Sequence, residues 1–546
     1  MKNLFKKISA LVLAAIMVLT MCTAVFATGT TPNEDDKKTA TVNNVEATAT
    51  VNAYQITKAK YDNGFTGYEA VTGVTLANVL APNSDEVTAI AKNAALLETL
   101  PSKQMTTAAT EGLASFTAEL NAGYWVVIVS GTVEEVYNPM LIGVYYSVSG
   151  SDSTMTSDPV NANSNWTLVT ADAYAKSTKP SIDKKVTKTT ATVNDETKVT
   201  TDTNLATNDK GHDVAVGDVV EFEISTKIPS YSEQYSEVIV NIEDTLSKGL
   251  TLNQESIQIN GKDVDDQMGA FTDISDSGFT FTINSDYALG NGNQDIVVTY
   301  SATVNNEAEK NFDPNTNAAK LIYSNNPADK NVTKEKESKT YTYTFSIGAA
   351  LSASIQNYTN KINQIIKVDQ DGKVISTSIE ESGVEAGKVI EVTEGAEFTL
   401  TNNSTGRVYT ATTGKDGGLT FEGLDAGEYT LVETKAPTGF SINKTEIPVV
   451  ISATYVAEGT NKGKLDTLTI TIDGKNTSTY KATYPTKEGE TTTISNTTTV
   501  TNIKNTKLSE LPSTGGIGTY IFTIAGVVLM ACAACAFFIS RKKSEE

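Results

Sequence analysis

Alternation with a period of two constrains this 546-residue chain more than any other feature. Tyr124-Trp125-Val126-Val127-Ile128-Val129, Val219-Val220-Glu221-Phe222-Glu223-Ile224 and Leu468-Thr469-Ile470-Thr471-Ile472 are rich in β-branched and aromatic residues, and Gly, Asn, Asp or Pro turns bound them. Helical spacing is confined to residues 87–97 and to the two ends of the chain. Such a chain must bury its apolar faces sheet against sheet, which predicts an all-β fold of tandem immunoglobulin-like sandwiches. The pattern falls into three blocks. With their flanks they predict domains at 39–175, 176–346 and 347–506, after a flexible leader at 28–38 and before a terminal segment at 507–546.

Both ends read as targeting segments. Lys2, Lys6 and Lys7 precede an apolar stretch at 8–25, and Val25-Phe26-Ala27 fits a small-residue cleavage site, so residues 1–27 are expected to be a signal peptide. Met21 is too bulky for lipoprotein processing at Cys22. Residues 517–539 carry no charge and are long enough to span a bilayer as a helix, and Arg541-Lys542-Lys543 would stay on the cytoplasmic side. The three cysteines, Cys22, Cys532 and Cys535, all lie in these segments. An exported chain without them has no disulfides and must obtain its resistance another way.

Composition excludes several functions. The net charge of −22 disfavours nucleic acid and anionic membranes as partners. His212 is the only histidine. After Asn208-Asp209-Lys210-Gly211 it reads as a solvated loop residue, and one histidine without cysteine argues against His-based triads and common zinc sites. No phosphate-binding glycine loop or EF-hand loop is present, so neither a cofactor, a metal site nor a catalytic set is expected.

The ends and the third block carry a family resemblance. Leu511-Pro512-Ser513-Thr514-Gly515, the apolar run and the basic stop together resemble the cell-wall sorting signal of Gram-positive surface proteins. That resemblance implies cleavage by a sortase between Thr514 and Gly515, with transfer of the Thr514 carbonyl to an amine. In the third block, Ala396-Glu397-Phe398-Thr399-Leu400 and Gly427-Glu428-Tyr429-Thr430-Leu431-Val432-Glu433-Thr434-Lys435-Ala436-Pro437-Thr438-Gly439-Phe440 resemble the collagen-adhesin B-type domain of adhesins and pilins. In that family a first-strand Lys bonds to a last-strand Asn through a spontaneous isopeptide beside a Glu. By motif position these are Lys367, Asn502 and Glu433. The chemistry explains the residue types. A lysine amine attacks only when neutral, and burial among apolar groups favours that form. Burial likewise favours a protonated acid, which can hydrogen-bond the Asn carbonyl and relay a proton to departing ammonia.

The second block resembles the pilin backbone-subunit domain that makes the same bond on an A-type sandwich. The matching stretches are Ile182-Asp183-Lys184-Lys185-Val186, Val240-Asn241-Ile242-Glu243-Asp244-Thr245-Leu246 and Leu321-Ile322-Tyr323-Ser324-Asn325. Alternation puts Lys184 on the face of Ile182 and Val186, Asp244 with Val240 and Ile242, and Asn325 with Leu321 and Tyr323. The expected bond is Lys184–Asn325 assisted by Asp244, with Glu243 as the alternative acid and Asn317 as the alternative acceptor. Closing loops of ~100 residues in this way stabilises by about 4 kcal/mol, by analogy with disulfides.

A pilus shaft subunit also needs an exposed amine to attack the Thr514 thioester of the next subunit. The pilin motif that ends in Tyr-Pro-Lys is matched here by Trp166-Thr167-Leu168-Val169-Thr170-Ala171-Asp172-Ala173-Tyr174-Ala175-Lys176, with Ala before the lysine and one extra residue in the spacing. Lys176 is the first candidate and Lys179 its rival. Val51-Asn52-Ala53-Tyr54-Gln55-Ile56 and Tyr137-Asn138-Pro139-Met140-Leu141-Ile142 resemble the N-terminal domain of such pilins. The implied protein is a structural shaft subunit, not an enzyme. Its implied partners are sortases, other copies of itself, peptidoglycan and a host surface or extracellular matrix, with transient membrane insertion before sorting. A monomeric wall-anchored adhesin or minor pilin is the alternative.

Overall fold

The computed structural model describes residues 30–131, 133–148, 154–193, 196–198, 209–232, 235–262, 265–327, 329–348, 365–373, 395–414, 417–485, 491–508 and 523–535. The expected signal peptide lies outside them. The chain divides into two compact units, residues 1–344 with 454–466, and residues 345–453 with 467–546.

The first unit opens with two facing sheets. One has the order Ala173–Tyr174, Lys37–Glu46, Leu113–Asn121; the other has Thr167–Thr170, Met140–Ser147, Gly123–Gly131, Ala49–Gln55, Ser102–Met105. Val42, Phe116, Leu120, Trp125, Val127 and Val144 fill the space between them. Strand Gly123–Gly131 is covered on both faces. Trp125, Val127 and Val129 point into the sandwich, while Val126 and Ile128 pack under Val87 and Ile90 of helix Ser84–Lys92. This explains its unbroken apolar run, since only a strand with one wet face alternates cleanly. Asn83 begins the helix with a capping box, its side chain accepting from the Glu86 amide while Glu86 accepts from the Asn83 amide.

The expectation of a flexible leader needs correction. The Trp166 indole donates to the Thr30 carbonyl at 2.9 Å, the Tyr146 hydroxyl to Asp36 at 2.8 Å and Asn121 to the Glu34 carbonyl at 2.6 Å. The buried aromatic rings require partners for their polar tips, and the leader supplies them.

Further along the same unit, two larger sheets face each other. One runs Glu196–Lys198, Ile182–Val193, Val219–Lys227, Asp295–Val304, Leu250–Leu252, with Gln258–Ile259 also on Asp295–Val304. The other runs Gly211–Asp213, Thr333–Tyr343, Asn315–Ser324, Val240–Leu246, Gly278–Ile283, Gly269–Ser275. Phe222, Ile224, Val298, Ile242, Phe281 and Leu321 form the core between them. His212 is not a solvated loop residue: it sits in strand Gly211–Asp213, parallel to Thr333–Tyr343, and is 1 % exposed. Burial holds its imidazole down to about 3, so it is neutral, with Nε2 3.2 Å from the Thr342 hydroxyl. The polar residues before it misled the sequence reading. Lys210 is itself engaged with Asp183 and with the Ser338 hydroxyl.

The second unit contains a seven-stranded sheet in the order Val408–Thr412, Glu397–Asn402, Gly427–Lys435, Ile447–Tyr455, Leu465–Ile472, Asn476–Thr483, Thr493–Thr497. Ile365–Asp369 pairs in parallel with Thr501–Asn505, so the first and last strands of the third block are neighbours.

Candidate functional site

In the second sandwich the two sheets bring four polar side chains together inside an apolar core. Lys184 comes from Ile182–Val193 and Tyr300 from Asp295–Val304, in one sheet; Asp244 and Asn317 come from Val240–Leu246 and Asn315–Ser324, adjacent strands of the other. Lys184 has no exposed surface, because alternation turns it inward and leaves Lys185 outside, 2.8 Å from Glu223. The Lys184 ammonium hydrogen-bonds both the Asp244 carboxylate and the Tyr300 hydroxyl. Tyr300 in turn donates to Asp244 Oδ1 at 2.8 Å and accepts from Asn317 Nδ2 at 3.0 Å. Asn317 Oδ1 is buried without a hydrogen-bond partner among the described residues.

Burial dominates the electrostatics. It pulls the lysine down to about 8, with Asp244 opposing, and it pushes the Asp244 carboxyl up, with Lys184 opposing. Both shifts favour the neutral amine beside a neutral acid, the state from which amide formation starts.

Register decides which asparagine reaches the cluster, and it is not the first one expected. Leu246 pairs with Asn317 and Asp244 with Ala319, so Asn317 lies one inward position from the acid along its neighbouring strand. Asn325 shares the inward face but lies eight residues further on, ~26 Å along an extended strand. It is buried for another reason: its Nδ2 donates to the Val133 carbonyl at 2.9 Å. The asparagine that the fold places in the cluster is therefore Asn317, the alternative acceptor of the sequence reading. Glu243 alternates to the half-buried outer face, leaving Asp244 as the acid in place.

The third-block cluster is built differently. Lys367, Glu433 and Asn505 are 1 %, 3 % and 2 % exposed. The Lys367 ammonium donates to Asn505 Oδ1 and lies 3.2 Å from Glu433 Oε1. Asn505 Nδ2 donates directly to that same carboxylate oxygen at 3.0 Å, and Glu433 Oε2 accepts from the Asn443 amide at 2.6 Å. Burial lowers the Lys367 pKa against the opposing pull of Glu433. Strand register keeps Asn502, the expected acceptor, out of the cluster. Ile366 faces Asn502 and Lys367 faces Ile503, and Thr501, Ile503 and Asn505 point inward while Asn502 is exposed.

Sequence reasoning thus missed Asn505 and Tyr300. Period two counted from Ile503 finds Asn505. Tyr300 shares the inward face of Ile296, Val298, Ala302 and Val304, where it reads as one more core residue.

Lys176 and Lys179 are both exposed, flanking the short strand Ser177–Thr178 that pairs with Val136–Tyr137. The Lys176 carbonyl accepts from the Asn138 amide at 3.0 Å. The motif Leu511, Pro512, Ser513, Thr514, Gly515 lies outside the described residues. Of the expected membrane helix 517–539, residues 523–535 are described and helical. Among the described residues no helix is long and apolar enough to cross a membrane.

Comparison with known proteins matches four stretches of the chain. Residues 35–177 match the family described as T6 antigen Ig like domain, and residues 216–327 match Gram-positive pilin backbone subunit 2, Cna-B-like domain. Residues 384–464 match a prealbumin-like fold domain and residues 503–546 the LPXTG cell wall anchor motif. The class to which these stretches are similar is the Gram-positive backbone pilin with an LPXTG wall anchor. Within that class the resemblance is to the T6 type. The chain is 26% identical to the trypsin-resistant surface T6 protein of Streptococcus pyogenes serotype M6, across 94% of this chain and 96% of that one. The fold matches the solved T6 backbone pilin of that serotype with a TM-score of 0.58 at 23% identity, covering 88% of this chain and all of the other.

Proposed function

We propose that this chain is the shaft subunit of a sortase-assembled pilus and that two internal amides lock its second and third domains, Lys184–Asn317 assisted by Asp244 and Lys367–Asn505 assisted by Glu433. The observation that carries the reading is the pairing, twice, of a solvent-free lysine with a buried acid and a buried asparagine. An ordinary buried ion pair has little reason to recur with an amide beside it, because desolvation offsets much of its attraction. Domain limits near 39–175, 176–346 and 347–506 put one such cluster in each of the last two domains.

Assembly joins the Thr514 carbonyl of one subunit to Lys176 of the next, with Lys179 as rival; the last subunit is transferred to peptidoglycan. Exposure of both lysines suits an amine that an enzyme must reach. Before sorting, the signal peptide and the 517–539 helix hold the chain transiently at the membrane. A host surface or extracellular matrix is the external partner. The test of the internal bonds is the intact mass of the mature chain, which should lack two ammonia molecules, with branched tryptic peptides joining Lys184 to Asn317 and Lys367 to Asn505. Linear peptides at all four positions would refute it. For assembly, Lys176→Ala should collapse the high-mass ladder of wall extracts in a denaturing gel; collapse only with Lys179→Ala would move the assignment to the rival.

A further inference from the structure

We propose that Tyr300 is a catalytic residue of the second-domain crosslink, relaying a proton from Asp244 to the amide nitrogen that leaves Asn317. The inference rests on the Lys184–Asn317 bond proposed above and deepens it.

The argument starts from what the two acids touch. Glu433 reaches the Asn505 amide nitrogen itself, at 3.0 Å. Asp244 has one methylene fewer, and its Oδ1 meets the Tyr300 hydroxyl at 2.8 Å, which stands 3.0 Å from Asn317 Nδ2. The phenol occupies the gap between acid and leaving group. All three of its hydrogen-bond partners, Lys184 Nζ, Asp244 Oδ1 and Asn317 Nδ2, belong to the reacting set.

Packing alone does not call for the hydroxyl. The ring centroid lies 5.4 Å from that of Phe222 and 5.2 Å from that of Phe279, and a phenylalanine would fill the same space between those rings. A buried hydroxyl is costly unless it is bonded, so its retention here points to use. Burial and the neighbouring Asp244 also keep the phenol well above its ordinary pKa, so it enters the reaction protonated.

The step balances as follows. The neutral Lys184 amine attacks Asn317 Cγ. In the tetrahedral adduct Nδ2 gains a lone pair, the Tyr300 hydroxyl hydrogen turns from Asp244 towards it, and the proton of the Asp244 carboxyl passes to the Tyr300 oxygen as the hydroxyl proton passes to Asn317 Nδ2. The Cγ–Nδ2 bond breaks and ammonia leaves. The proton shed by the Lys184 nitrogen restores Asp244. An amine and a primary amide become a secondary amide and ammonia, and neither helper is consumed.

The test follows crosslinking in time. Full-length chain made by cell-free synthesis is sampled, denatured and digested, and the two branched peptides are quantified. Tyr300→Phe should slow the second-domain peptide ~100-fold, a typical loss for general acid–base help, while the third-domain peptide forms at the wild-type rate as an internal control of folding. Equal rates for the second-domain peptide in wild type and variant overturn the role of Tyr300. Absence of that peptide in wild type refutes the bond itself instead. Should Tyr300→Phe depress both peptides through misfolding, a fluorinated tyrosine at position 300 keeps the shape and makes the hydroxyl more acidic. A changed rate at constant pH supports the relay, and an unchanged one overturns it.

Discussion

The second- and third-domain clusters hold the same three functional groups but solve the placement problem in different ways. In the third, one long acid touches both lysine and asparagine, and strands Ile365–Asp369 and Thr501–Asn505 lie side by side. In the second, lysine and asparagine come from facing sheets, the acid is shorter, and a tyrosine spans the remainder. If both proposed amides form, a carboxylate serves amide formation at two distances, with a buried proton carrier covering the difference.

Removing either acid should have the largest effect. Glu433→Ala or Asp244→Ala leaves a buried lysine without its partner, a loss of about 3–5 kcal/mol, and forfeits the crosslink, a further ~4 kcal/mol. Denaturant unfolding and a mass increase of one ammonia check both. If one acid proves dispensable, the likeness between the clusters ends there.

Exchanging the two designs comes next. Asp244→Glu combined with Tyr300→Phe gives the second cluster the long acid of the third, and it should recover most of the crosslinking rate lost in Tyr300→Phe alone, measured by the branched peptide. Failure to recover would mean that sheet geometry, not acid length, separates the clusters.

The pH dependence follows from one proton shared by Lys184 and Asp244. Raising pH through about 8 removes it, so the amine stays neutral but the acid can no longer protonate the leaving nitrogen. Lowering pH below the raised pKa of Asp244 adds a second proton and holds the amine as ammonium. The rate of second-domain crosslinking should thus be bell-shaped, with its alkaline limb near pH 8.

The smallest effects belong to the two displaced asparagines. Asn325→Ala should keep the second crosslink and cost about 1–3 kcal/mol through the unpaired Val133 carbonyl. Asn502→Ala should leave mass loss intact and stability within ~0.5 kcal/mol.

How much of this was legible in the chain follows from what alternation encodes. Period two gave the sandwiches and the inward turn of Lys184 and Asp244, because one face of a strand is decided by its neighbours, while Lys367 and Glu433 came from motif position. It could not choose between Asn317 and Asn325, which share a face and differ only in cross-strand register. Asn502 was favoured by motif position, while its own strand's alternation favours Asn505. Tyr300 was illegible because a buried tyrosine and a working one look alike until the partners of the hydroxyl are known. His212 was misjudged from charged neighbours whose charges are spent on other contacts.

The parallel neighbours Ile365–Asp369 and Thr501–Asn505 carry one further consequence. An amide between Lys367 and Asn505 would confine the covalent route through the third domain to the stretches before Lys367 and after Asn505, and the sheet between them would hang as a slack loop off that route. Stretching a filament of such subunits would then release almost no contour length from this domain, and a single-molecule extension trace should pass it without a step.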